Sequence, residues 1–204
     1  MNSTQSYQPL KAFEVTKSGT FTTRHLQLRQ NGETILWINT HSGFMQPTQI
    51  NLQMQSQNGP TVAAVRLKRM SSGCRVMLGS PDGTDREQWQ DVESQSLSGK
   101  RYGFQYQGTS FAWKRTHKKE FGASGWGRGG FKFVQASKPD EILAVYITDR
   151  KWFNNTDIAR IEFMTELGRE VELMALAAML GIAEHIRRAN RASSGGGGGG
   201  GGGC

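Results

Sequence analysis

LGREVELMALAAMLGIAEHIRRANR, residues 167–191, is the stretch whose reading decides the fold. It contains no proline and is built mainly from Ala, Leu, Met, Glu and Arg, all good helix formers. Glu166, Glu170 and Glu172 stand at its start, and Arg187, Arg188 and Arg191 at its end, as the helix macrodipole favours. Between them LMALAAMLGIA, residues 173–183, is apolar around its whole circumference. A helix lying on one sheet face needs only an apolar stripe, so this one must be enclosed on every side. Ala175, Ala177, Ala178, Gly181 and Ala183 keep it slim enough to be surrounded. The apolar run rises only about 16 Å against a bilayer core of about 30 Å, so it does not span a membrane.

What could enclose it is written upstream. TFTTRHLQLR (20–29) and ETILWIN (33–39) flank Asn31-Gly32, a dipeptide that accepts positive φ and makes tight hairpins. The same device separates TQINLQMQ (48–55) from TVAAVRLKR (61–69) at Asn58-Gly59. Further strand candidates are 74–79, 87–92, 101–106, 109–115 and 131–135. A turn at Lys138-Pro139-Asp140 leads into EILAVYIT (141–148), apolar on both faces and so buried on both. The last strand is 158–163, and a weak one lies near 12–16. Such strands can curl into a closed antiparallel barrel, which removes exposed edges and provides a bore. The expected fold is therefore mainly β: a barrel of about twelve strands around a hydrophobic C-terminal helix. A helix at an oligomer interface is the competing reading of the same run. The expected division is a weakly ordered lead-in over 1–19, a barrel domain over 20–192 and a disordered Gly-rich tail over 193–204.

Catalytic patterns do not survive inspection. Gly125-Trp126-Gly127-Arg128-Gly129-Gly130 fits G-x-G-x-x-G, but it precedes a strand, whereas the dinucleotide fingerprint follows one and opens a helix. His25, His41, His117 and His185 are scattered without metal-ligand spacing. Cys74 falls on an apolar strand face, the place of a buried inert thiol, and Cys204 ends the chain without a prenylation box. The first 20 residues show no secretory leader. A non-enzymatic chain without cofactor or metal, placed in the cytoplasm and without a transmembrane segment, is the expectation.

Charge is the remaining signal. Lys and Arg number 25 against 17 Asp and Glu, a net charge of +8. KRYGFQYQGTSFAWKRTHKK (100–119) carries Lys114, Arg115, Lys118 and Lys119 among aromatics, with no acid. A second cluster is Arg66, Lys68 and Arg69, near Arg75; Arg66 and Lys68 share a strand face. Such patches suit phosphate, on an anionic lipid surface or on a nucleic-acid backbone. Strand alternation places most of the interleaved aromatics inside the barrel rather than on a base-stacking surface.

VAAVRLKRMSSGCRVMLGSPDGT (62–84), LSGKRYGFQYQGTSF (97–111) and DIARIEF followed by the apolar helix carry a resemblance. Over about residues 20–190 the chain resembles the tubby C-terminal-like superfamily, which includes the LURP-one-related proteins and the phospholipid scramblases. It looks most like the fungal branch. The resemblance implies a twelve-stranded barrel around a C-terminal helix. It also implies phosphoinositide binding through the positions of Arg66, Lys68 and Arg69; Lys114, Arg115, Lys118 and Lys119 are expected, from their charge alone, to add an electrostatic supplement. Tubby's own basic cluster is longer and richer in lysine. The calcium loop and palmitoylated cysteines of scramblases have no counterpart here. The expected function is thus peripheral docking on anionic phospholipid headgroups. The alternatives are a nucleic-acid-binding or transcription-linked protein, with the nucleus as its place, and a protein-interaction scaffold with no small ligand.

Overall fold

The computed structural model describes residues 8–18, 25–43, 46–81, 89–96, 99–116, 130–148 and 157–194. They form a closed antiparallel barrel of twelve strands with one C-terminal helix through its bore. The strands begin with β1 (Lys11–Ser18), β2 (His25–Gln30), β3 (Glu33–His41) and β4 (Gln49–Gln53). They continue with β5 (Thr61–Leu67), β6 (Cys74–Leu78), β7 (Gln90–Ser94) and β8 (Arg101–Tyr106). The last are β9 (Thr109–Arg115), β10 (Phe131–Gln135), β11 (Lys138–Thr148) and β12 (Asp157–Phe163), followed by α1 (Arg169–Ser194). Each strand pairs with its neighbours in the chain, and β12 returns to β1 with Lys11 opposite Phe163, Phe13 opposite Ile161 and Val15 opposite Ala159.

One face of every strand supplies the core. Phe13, Leu28, Ile38, Leu52, Val65, Val76, Tyr102, Trp113, Phe133 and Phe163 all belong to a single buried cluster that includes the helix. Met174 to Leu180 and Ile182 are each at most 6% exposed, so α1 is enclosed as its composition requires. Trp113 donates its indole N–H to the Ala175 carbonyl at 3.2 Å, tying wall to axle. Gly181 makes the closest approach: a Cβ there would lie 2.7 Å from Cys74 Sγ and 2.8 Å from Val65 Cγ1. Leu143 to Ile147 are buried in succession, with Val145 and Ile147 in a second cluster on the outer side of β11.

The helix gives the barrel two distinct ends. At the entry end Glu170 accepts a hydrogen bond from the Tyr106 hydroxyl at 2.7 Å. There Lys11 also donates to Glu172 at 2.9 and 3.2 Å. The β2–β3 turn lies there, with Asn31 and Gly32 at φ of 51° and 84°. At the exit end lie the end of β5, the start of β6, the end of β9 and the starts of β8 and β10, by the antiparallel order. The β1–β2, β9–β10 and β11–β12 connections join this end and fall largely outside the described residues.

Several boundaries differ from the sequence expectation. The barrel begins at Lys11 rather than 20: β1 is a full strand, pairing on both sides, within the expected lead-in. Its signal is faint because only Phe13 and Val15 bring buried apolar side chains to the inner face. No tight hairpin forms at Asn58-Gly59; β4 stops at Gln53, and the left-handed residue is Gln55, with φ of 65°. Gly59 instead admits the Met54 carbonyl, which a Cβ would meet at 1.8 Å. The turn expected at Lys138-Pro139-Asp140 falls at 136–137, and Pro139 lies in β11 beside the register shifts of β10, where a missing N–H is tolerated. The helix extends through Ser194, past the expected start of the tail, while the glycine run 195–203 lies outside the described residues.

Candidate functional site

Arg66 is the penultimate residue of β5 and stands between Gln49 of β4 and Arg75 of β6 in cross-strand register. Two like charges in register repel, so each needs compensation. The Arg66 Nε donates to Gln49 Oε1 at 3.0 Å, and its guanidinium lies 4.5 Å from the Trp89 ring centroid. Arg75 reaches Asp91 Oδ1 at 3.0 Å. Lys68, where β5 gives way to its turn, is bound by both acids of β7: Asp91 at 2.7 Å and Glu93 at 3.1 Å. These partners outweigh the burial that would lower the Lys68 ammonium, so its pKa is raised. The Lys68 hydrogen bond, with a smaller share from Arg75, holds the Asp91 carboxyl below its usual range against burial. Lys68 is therefore committed to the protein's own carboxylates, while Arg69 and Arg75 are exposed.

A second row of cations runs along the same end. Lys114 of β9 is in register with Arg101 of β8 on one side and Lys132 of β10 on the other. Neighbouring strands are about 4.8 Å apart, so three positive side chains crowd one outer strip. No ion pair to any of the three occurs among the described residues. Partial burial, then the charges of Arg101 and Lys132, pull the Lys114 ammonium below its ordinary value, with Asp140 acting in the opposite sense. The Arg101 Nε is buried without a hydrogen-bond partner. An anion placed on this strip would relieve the mutual repulsion.

The expected residues therefore separate. Arg66, Lys68, Arg69 and Lys114 all come to the exit end on the outer surface. Arg115 does not share the surface of Lys114: it keeps the inward parity of Phe111 and Trp113, opposite buried Phe131, and its Nε is buried without a hydrogen-bond partner. Lys118 and Lys119 lie outside the described residues, as does Gly125–Gly129 of the glycine-rich motif. Sequence reading missed Lys132 as a partner of Lys114, because a 14-residue stretch, Thr116–Gly129, hides the register; only the alternation FKFVQ signals that Lys132 points outward. It also missed Asp91 and Glu93, whose pairing with Lys68 depends on the β6–β7 register.

Tyr102, Phe104, Phe111 and Trp113 are buried and half-buried Tyr106 is bonded to Glu170 at the entry end, so the basic exit end draws no stacking surface from these five aromatics. Cys74 is buried, and desolvation pushes its thiol up to about 12, which leaves it a poor nucleophile. Among the described residues, no cluster of His, Cys, Asp or Glu is placed to hold a metal ion, and no helix is long and apolar enough to cross a membrane. No protein-family model matches the chain, and no curated protein matches it at a significant level.

Proposed function

We propose that this protein docks, without catalysis, on anionic phospholipid headgroups through the exit end of its barrel, at the cytoplasmic leaflet of a membrane. The supporting observation is convergence: Arg66, Arg69 and Arg75 share one barrel end with the row Arg101, Lys114 and Lys132, which no ion pair reaches among the described residues. Each basic residue near an anionic surface contributes about 1 kcal/mol, so such a rim is enough for reversible peripheral attachment. The barrel with an axial helix is also the architecture implied by the tubby-like resemblance, which we keep as part of the proposal. Burial of Tyr102, Phe104, Phe111 and Trp113 in the basic segment weighs against nucleic acid as the ligand.

Sedimentation with vesicles tests this. Binding is expected with phosphatidylserine- or phosphoinositide-containing vesicles, weakening as salt rises, and not with pure phosphatidylcholine. Replacing Arg101, Lys114 and Lys132 by Ala should reduce it further. Equal binding to neutral and acidic vesicles, or an unchanged triple variant, would overturn the proposal.

A further inference from the structure

The β5–β6 turn adds an apolar element to this charged end. Among the described residues only Leu10 and Met70 are large hydrophobic side chains left exposed, and Met70 is 98% so. Leu10 precedes β1 at the entry end. Met70 lies in the Lys68–Gly73 turn and lines a cleft with Pro47, Arg66, Lys68, Arg69 and Arg75.

Single exposed hydrophobics are common on protein surfaces. This one is distinguished by how firmly its support is built. Lys68 N–H donates to the Gly73 carbonyl at 3.1 Å, and Ser71 Oγ accepts from Gly73 N–H at 3.3 Å. Gly73 presses on β7 so closely that a Cβ would lie 2.5 Å from the Val92 carbonyl oxygen. The two salt bridges of Lys68 fasten the same turn to Asp91 and Glu93. A thioether is thus held out into solvent by a stiff hairpin with cations on both sides.

We propose that Met70 is an interfacial anchor that enters the acyl boundary of an anionic bilayer while Arg66, Arg69 and Arg75 stay at headgroup level. This presupposes the headgroup docking proposed above and adds its depth and orientation. Four of the side chains lining the cleft beside Met70 are cations, Arg66, Lys68, Arg69 and Arg75. A bilayer needs only a protruding apolar side chain and positive charge beside it. Charge complementarity therefore selects the lipid surface.

The test uses the full chain carrying Met70→Cys and Cys204→Ser, labelled with an environment-sensitive dye; buried Cys74 does not compete for label. With phosphatidylserine-containing vesicles the dye emission should shift to the blue and be quenched by brominated acyl chains; with phosphatidylcholine alone it should not change. Unlabelled Met70→Ser should partition about tenfold more weakly at unchanged melting temperature, and Met70→Leu should restore it. Sedimentation on acidic vesicles without a shift, and with Met70→Ser unimpaired, overturns the anchor and leaves headgroup docking intact. Failure of the wild type to bind acidic vesicles overturns both. A shift of equal size on neutral vesicles also overturns the anchor as drawn, because charge would then have no part in it.

Discussion

The two ends of the barrel are made from the same twelve strands and differ in what their charges do. At the entry end, Glu172 is nearly buried and held by Lys11, and Glu170 is bound by Tyr106; the acids there face the positive pole of α1. Charge at that end closes the bore and fixes the helix. At the exit end, no ion pair reaches Arg101, Lys114 or Lys132 among the described residues, while β7 binds Lys68 and Arg75. Satisfied charge holds a fold together, whereas like charges in register cost it stability.

The largest effect should come from breaking what both ends share. Leu176→Asp or Leu180→Asp places an unpaired carboxylate inside the bore at a cost of several kcal/mol, most of a domain's net stability. Either variant should be insoluble or lack a cooperative melting transition. Gly181→Ala comes next, at about 1–3 kcal/mol, because its methyl meets Cys74 and Val65. Cys74→Ala in the same chain should recover part of that loss, which a double-mutant cycle of melting free energies would measure.

Single-end variants then sharpen the contrast. Glu172→Gln should cost about 1–2 kcal/mol of stability, read by denaturant titration, and leave vesicle binding unchanged. Asp91→Asn should do the reverse: under about 1 kcal/mol of stability, with tighter sedimentation on acidic vesicles as Lys68 and Arg75 are released. The pH dependence has a definite sign. Because the Asp91 carboxyl is held below its usual range, its stabilising contribution is present above the ordinary aspartate value of about 3.9 and is lost as pH falls through the lowered value. The melting difference between wild type and Asp91→Asn should therefore close in strong acid.

Much of the architecture was legible because one segment permits a single environment. A rod apolar all round demands a bore, and alternation in 48–55, 61–69 and 101–106 supplied its wall. The misjudged places are those where alternation is short or a bulge intervenes: β1, the 54–60 connection and the start of β11. The site was legible only as clusters. Arg66, Lys68 and Arg69 adjoin in sequence, but whether each is neutralised depends on β7, and the Lys114–Lys132 register crosses a stretch no local pattern can bridge. Arg115 shows the limit in the other direction: beside Lys114 in the chain, it is sent inward by the pleat.

The pairing of β1 with β12 carries a consequence for how the molecule comes into being. Lys11 meets Phe163, so the barrel's first strand waits during synthesis for its last, and the rod that fills the cylinder is made later still. During synthesis the unfinished sheet must keep its greasy concave side, from Phe13 to Phe133, without the plug that will eventually cover it. Long-range zippering of this kind is slow, and the waiting intermediate is prone to stick to its own copies. A chain ending just after Phe163 would leave that state permanent, a cylinder with nothing inside.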